Sequence, residues 1–166
     1  MSKRVNEAKE QIINIINSAA KKAIANGELE GAELNSFTIE VPSSREHGDY
    51  AVNAALVWAK AFHKAPRQIA EILMNNAEFE NSYIERYEIA GPGFINLFLN
   101  QKYYNDIMTD IAVSKDNYGK SDYGKGKRVL VEFVSANPTG PMHIGNARGG
   151  ALGDCLAAVM SAAGYE

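Results

Sequence analysis

Residues 129–150, VLVEFVSANPTGPMHIGNARGG, constrain this chain more than any other stretch. Val129-Leu130-Val131 and Phe133-Val134 form a short apolar, β-branched run broken only by Glu132. Such a run, bounded by turn residues, predicts a buried strand. A polar elbow follows, containing Ser135, Asn137, Pro138, Thr139, Gly140 and Pro141. The prolines exclude helix through the elbow, and Gly140 suits a turn. His143 and Gly145 then lead into an Ala- and Gly-rich helix that carries Arg148 and Asp154. A strand, a glycine-punctuated turn and a helix N-terminus together make a site for an anion such as phosphate. Glu132 needs a partner, because a carboxylate inside an apolar strand is costly when unpaired. That partner is either a cationic substrate or a neighbouring Arg or Lys of the same chain. Arg148 and Asp154 read as exposed contacts or structural groups rather than catalysts.

The rest of the chain sets the frame. Its 166 residues suffice for one ordinary domain, or a small domain plus a piece of another. A net charge of −3 disfavours non-specific binding to nucleic acid, since phosphate binders are usually basic. The local exception is Lys120, Lys125, Lys127 and Arg128, which read as a solvated linker. The single cysteine, Cys155, excludes an internal disulfide and a cysteine-based metal site, and no protein metal site is expected. No stretch has the length and apolarity of a membrane span, and no signal peptide is visible, so a cytoplasmic location without membrane contact is the default.

In chain order, residues 3–26 repeat apolar side chains at helical spacing: Val5, Ala8, Ile12, Ile15, Ile16, Ala19, Ala23 and Ile24. Ser2 is a candidate cap and Gly27 a stop. Residues 37–41 alternate and end at Pro42, which predicts a strand. Asp49 stands where an N-cap belongs, with Val52, Ala55, Ala59 and Phe62 on one face of the helix expected behind it. His47 and Gly48 form the preceding turn, with the histidine structural. Pro66 opens a second helix bearing Ile69, Ile72 and Leu73. Residues 83–89 and 94–99 are expected strands, and Gly91-Pro92-Gly93 between them predicts an antiparallel hairpin. A helix over 101–114 leads to the linker. Phe94, Asn96 and Phe98 share one face of their strand, either as core or as an exposed reading surface.

The string SANPTGPMHIGN resembles the HIGH segment of class I aminoacyl-tRNA synthetases, and the arginyl-tRNA synthetase version in particular. HGDYAVNAAL, AFHKAPRQIAEI and AGPGFINLFL resemble the N-terminal additional domain of the same family. The resemblance implies an α+β accessory domain over residues 1–105, a helix and linker over 106–126, and over 127–166 the incomplete start of a Rossmann-like α/β catalytic domain, represented by its first βα unit. The chain is therefore expected to be an N-terminal fragment that has no ligase activity on its own. In the full-length protein the implied reaction is ATP-dependent activation of arginine and its transfer to tRNA(Arg), with Mg2+ accompanying ATP and a monomeric enzyme expected.

By the same resemblance, His143, Gly145 and Asn146 would bind ATP, with His143 and Asn146 catalytic. Glu132, Ser135 and Asn137 would hold arginine, while Phe94 would stack on a tRNA base whose edge Asn96 would hydrogen-bond. Two positions depart from the family pattern. Asn146 replaces the usual second histidine, and Gly140 stands where some members carry a lysine that compensates for a missing KMSKS signature. Two alternatives remain at this point: a non-catalytic tRNA-binding module, and a related adenylyltransferase with an HxGH site.

Overall fold

The computed structural model describes residues 3–137 and 139–166. The expected cap at Ser2 and the elbow residue Pro138 lie outside the described residues. The chain divides into two compact units, one ending at Asp110 and the other running Ile111–Glu166.

The first unit begins with helix α1, Lys3–Ala25, which buries Ala8, Ile12, Ile16, Ala19, Ala20 and Ala23. These positions follow the helical period read from the sequence. Two short strands, β1 (Ile39–Glu40) and β2 (Tyr50–Val52), flank a single helical turn at Arg45–His47. Helices α2 (Ala54–Phe62) and α3 (Pro66–Asn76) come next, with Pro66 opening α3 as its composition predicts. The hairpin strands β3 (Ile84–Ala90) and β4 (Phe94–Leu99) and the helix α4 (Gln101–Ser114), whose last turn lies past Asp110, complete the order. The strands form one antiparallel sheet in the order β1-β2-β4-β3. β4 therefore lies inside the sheet, and the expected hairpin is present.

Helices pack on one face of this sheet. α2 and α3 both touch β4, and α1 lies against α3. Trp58, Phe62, Ile12, Ile16, Ile69, Leu73, Ile95, Leu97 and Val52 are fully enclosed between the layers. Each such side chain contributes roughly 1.5–3 kcal/mol by leaving water. Trp58 donates its indole N–H to the Asn35 carbonyl at 2.8 Å and meets Phe37 and Phe62 edge-on, so its one polar atom is satisfied inside the core. A polar clamp joins α1 to α4. Arg4 donates to Asp110 at 2.7 Å and to the Tyr83 hydroxyl at 2.9 Å, and Tyr83 donates to Asp106. The Arg4 guanidinium holds the Asp110 carboxyl below the usual carboxylate range.

Two expectations in this unit need correction. Asp49 does not cap a helix, because Tyr50–Val52 is a strand and the helix starts only at Ala54 behind Asn53. Pairing of β2 with β4 wins over the local helical pattern. Asp49 instead accepts from the Leu99 N–H at 2.8 Å and from the Tyr104 hydroxyl at 2.9 Å, and burial together with that carboxylate pushes the Tyr104 phenol up to about 12. The expected strand over 37–41 contracts to two residues, Ile39–Glu40.

In the second unit, helix α5 spans Ile144–Ala162. Its end is tied to the preceding segment by backbone bonds from Ser121 to Ala162, Gly124 to Ala163 and Gly126 to Gly164, with Glu166 bonding back to Lys127. The expected linker is thus fastened through its main chain, while Lys120, Lys125, Lys127 and Arg128 stay exposed. The strand expected at Val129–Val134 is not formed. Val129 bonds to Glu166 at 2.7 Å, but no neighbouring strand among the described residues extends this into a ladder, and Val134 turns to a φ of 58°. A strand needs a partner for its alternating N–H and C=O groups, and apolar character alone does not supply one. Leu130, expected in a core, is 93% exposed. The Phe133 ring lies where a Cβ on Gly153 would sit, 2.1 Å from its Cγ, so that glycine lets the segment rest on α5. No helix among the described residues is long and apolar enough to cross a membrane.

Gly48 joins the single helical turn to β2 with a φ of +86°, and a Cβ there would stand 2.6 Å from the Leu97 carbonyl oxygen. Gly48→Ala is expected to destabilise the 166-residue chain by about 2 kcal/mol or more in urea unfolding. An unchanged unfolding midpoint would contradict this packing of β2 against β4.

Candidate functional site

Two surfaces carry the residues singled out in the sequence. The first is the elbow ahead of α5. His143 is the N-cap, with its Nδ1 accepting the Gly145 N–H at 3.1 Å. In return the backbone N–H of His143 donates to Asn146 Oδ1 at 3.2 Å, which closes a reciprocal capping box. Both contacts have chemical consequences. With Nδ1 occupied as an acceptor, the neutral ring carries its proton on Nε2, and that donor is left for a ligand. With Oδ1 engaged, Asn146 retains its amide NH2 as a donor. Gly145 has a steric reason to lack a side chain, since a Cβ there would lie 2.9 Å from the imidazole Cε1 and displace the cap.

Ser135, Asn137, Thr139, Gly140, His143 and Asn146 border one open hollow of about 280 Å³ at this helix start. The elbow therefore brings four of the expected site residues together: Ser135, Asn137, His143 and Asn146. Glu132 and Gly145 are not among those lining the hollow. Glu132 is exposed, so the expectation of a carboxylate buried in an apolar strand is not met here, for the same reason that the strand is unformed. The amides at the start of α5 and the Nε2–H, which has no partner among the described residues, favour negative charge at the hollow.

The second surface is the outer face of the sheet. Ile95, Leu97 and Leu99 of β4 point into the core, and the alternate positions Phe94, Asn96 and Phe98 face away from the helices. Phe94 is 36% exposed. Asn96, at 4%, sits low between its neighbours, opposite Glu88 of β3 and Ala51 of β2. Arg86 stands across from Phe98, with its guanidinium carbon 3.4 Å from the ring centroid, and pairs with Glu88. An aromatic ring, an amide and a planar cation thus share one face.

The family model for the arginyl tRNA synthetase N terminal domain matches residues 10–99. This chain belongs to that family. The arginine–tRNA ligase of Acetivibrio thermocellus is 49% identical over 166 residues, covering 100% of this chain and 29% of the relative. That of Listeria monocytogenes serotype 4b (strain F2365) is 45% identical over 156 residues, covering 94% and 28%. The chain thus spans under a third of the length of the curated relatives it matches. The crystal structure of arginyl-tRNA synthetase from Plasmodium falciparum shares the fold, with a TM-score of 0.58 at 19% identity over 92% of this chain and 28% of that one.

Membership in the synthetase family sets aside the adenylyltransferase alternative. The family match takes in all four strands and so includes Phe94 and Asn96, whereas His143 and Asn146 fall in the stretch shared with the longer relatives. Sequence reasoning overlooked Arg86 and Glu88. The signal was their alternation along the strand adjoining Phe94-Asn96-Phe98, which becomes visible only when the hairpin register is followed across both strands.

The capping box generates a test within the chain itself. Asn146→Ala is expected to cost about 1 kcal/mol of local helix stability, seen as faster amide exchange over residues 144–147. In ring 15N spectra of the unchanged chain, neutral His143 should carry its proton on Nε2. A proton on Nδ1 would contradict the cap.

Proposed function

We propose that this chain supplies the RNA-reading domain and the first segment of the ATP site of an arginine–tRNA ligase. The observation that carries the reading is the convergence of Ser135, Asn137, His143 and Asn146 on one hollow at the start of α5, in a chain of this family. Residues 1–105 are the tRNA-recognition domain, and 127–166 open a Rossmann-like catalytic domain. Phe133 and Val134 resting over Gly153 and Gly150 agree with a βα contact awaiting the neighbouring strands of a parallel sheet. The cytoplasm is the proposed compartment.

In the proposed reaction the arginine carboxylate attacks the α-phosphorus of ATP in line. A P–O bond forms, the bond to the bridging oxygen breaks, and pyrophosphate leaves with the electron pair. A tRNA hydroxyl then displaces AMP from the arginyl-adenylate. His143 donates from Nε2 to phosphate oxygens as their charge shifts, and the first amides of α5 add fixed positive character without reorganising. Asn146 holds His143 through its backbone and offers NH2 to ATP or arginine. Gly145 keeps the helix start narrow enough for the nucleotide to approach. Ser135 and Asn137 hold the α-amino and carboxylate groups of arginine, and Glu132 meets its positive charge once the strand is in place. Mg2+ enters with ATP as part of the substrate. On the other surface, Phe94 stacks on a base of tRNA(Arg) and Asn96 bonds to the base edge.

The full-length gene product is expected to catalyse ATP–pyrophosphate exchange in the presence of arginine and tRNA(Arg), and the 166-residue chain alone should not. His143→Ala in the full-length protein should lower the exchange rate about 10²- to 10³-fold, the size expected for one phosphate-directed donor. Wild-type exchange in that variant would remove the role given to the imidazole, and exchange by the 166-residue chain would overturn the division of labour.

A further inference from the structure

The outer face of the sheet holds more than the Phe94–Asn96 pair. At the other end of β4, Phe98 is covered by the guanidinium of Arg86, centred 3.4 Å above its ring. Glu88 pairs with that guanidinium from the same strand. The Arg86 side chain is nevertheless 53% exposed, so a guanidinium resting over the phenyl ring keeps more than half of its side chain accessible. We infer that Arg86, stacked on Phe98 and tethered by Glu88, is a second base-stacking platform that takes another nucleotide of the RNA bound at Phe94 and Asn96. The inference rests on reading this face as an RNA-binding surface.

Four observations bear on it. Phe94 and Phe98 are four residues apart on one strand, roughly 13 Å, so two separate bases rather than a single one would meet the two ends. Guanidinium planes stack on bases as aromatic rings do, and a guanidinium already held over a ring and paired with a carboxylate has less side-chain freedom left to lose on binding. The charge of Arg86 is offset by Glu88, which makes it a poor clamp for a backbone phosphate but leaves its planar face intact. The chain's net charge of −3 points the same way, toward stacking and edge contacts rather than bulk phosphate neutralisation.

Arginine and lysine separate stacking from simple charge, because lysine keeps the cation and loses the plane. The experiment titrates the 166-residue chain with a tRNA(Arg) transcript by fluorescence anisotropy at several salt concentrations, using the unchanged protein and the Arg86→Lys, Arg86→Ala, Phe94→Ala and Asn96→Ala variants. The expected result is about tenfold weaker binding for both Arg86 variants, the size of one stacked base, with an unchanged dependence of log affinity on log salt. If Arg86→Lys binds as tightly as the unchanged protein while Phe94→Ala weakens binding, the second platform is disproved and the RNA face stands. If Phe94→Ala and Asn96→Ala also bind like the unchanged protein, the face itself is wrong and the platform falls with it.

Discussion

Strand β4 is hydrogen-bonded on both sides, to β2 through Tyr50–Val52 and to β3 through Ile84–Ala90, and this double pairing decides which side chains the sheet can show. With its register held from two directions, the strand cannot slip by one residue without turning Ile95, Leu97 and Leu99 out of the core. Those three are buried against the helices, so Phe94, Asn96 and Phe98 must face outward. Gly48 and Asp49 reinforce the arrangement. The glycine allows the chain to approach the Leu97 carbonyl, and the carboxylate fastens the Leu99 amide. The outer face is thus a consequence of core packing, and its functional content comes from what occupies the alternate positions.

Much of this unit was legible because its elements are long and strongly patterned. The apolar repeat of α1, the proline that opens α3 and the Gly91-Pro92-Gly93 turn each carry a local physical signal, and each element stands where that signal puts it. Asp49 has the local sequence of a cap, while the sheet imposes a strand through Val52. Arg86 was invisible for a related reason. Its partner Phe98 is twelve residues away, and only the register of the hairpin brings the two together.

The elbow shows the same contrast. The helix start at Ile144 was legible from the prolines and His143 ahead of it, and the fourth residue of the motif proves to have a structural use. Asn146 closes the capping box by accepting from the backbone N–H of His143, whose imidazole is held in turn by the Gly145 N–H. Val129–Val134 has the composition of a central strand, but strand formation is a property of a pair, and no neighbour among the described residues supplies the pairing. Exposed Leu130 and Phe133 are the side chains such a neighbour would cover.

The most direct test of the central claim is to map where RNA contacts the 166-residue chain, by 1H–15N spectra during titration with a tRNA(Arg) transcript. The largest perturbations are expected on the β3–β4 hairpin, at Phe94, Asn96, Phe98 and Arg86, with the helix-covered side of the sheet little changed. Perturbations concentrated on α2 and α3, with the hairpin unmoved, would contradict it.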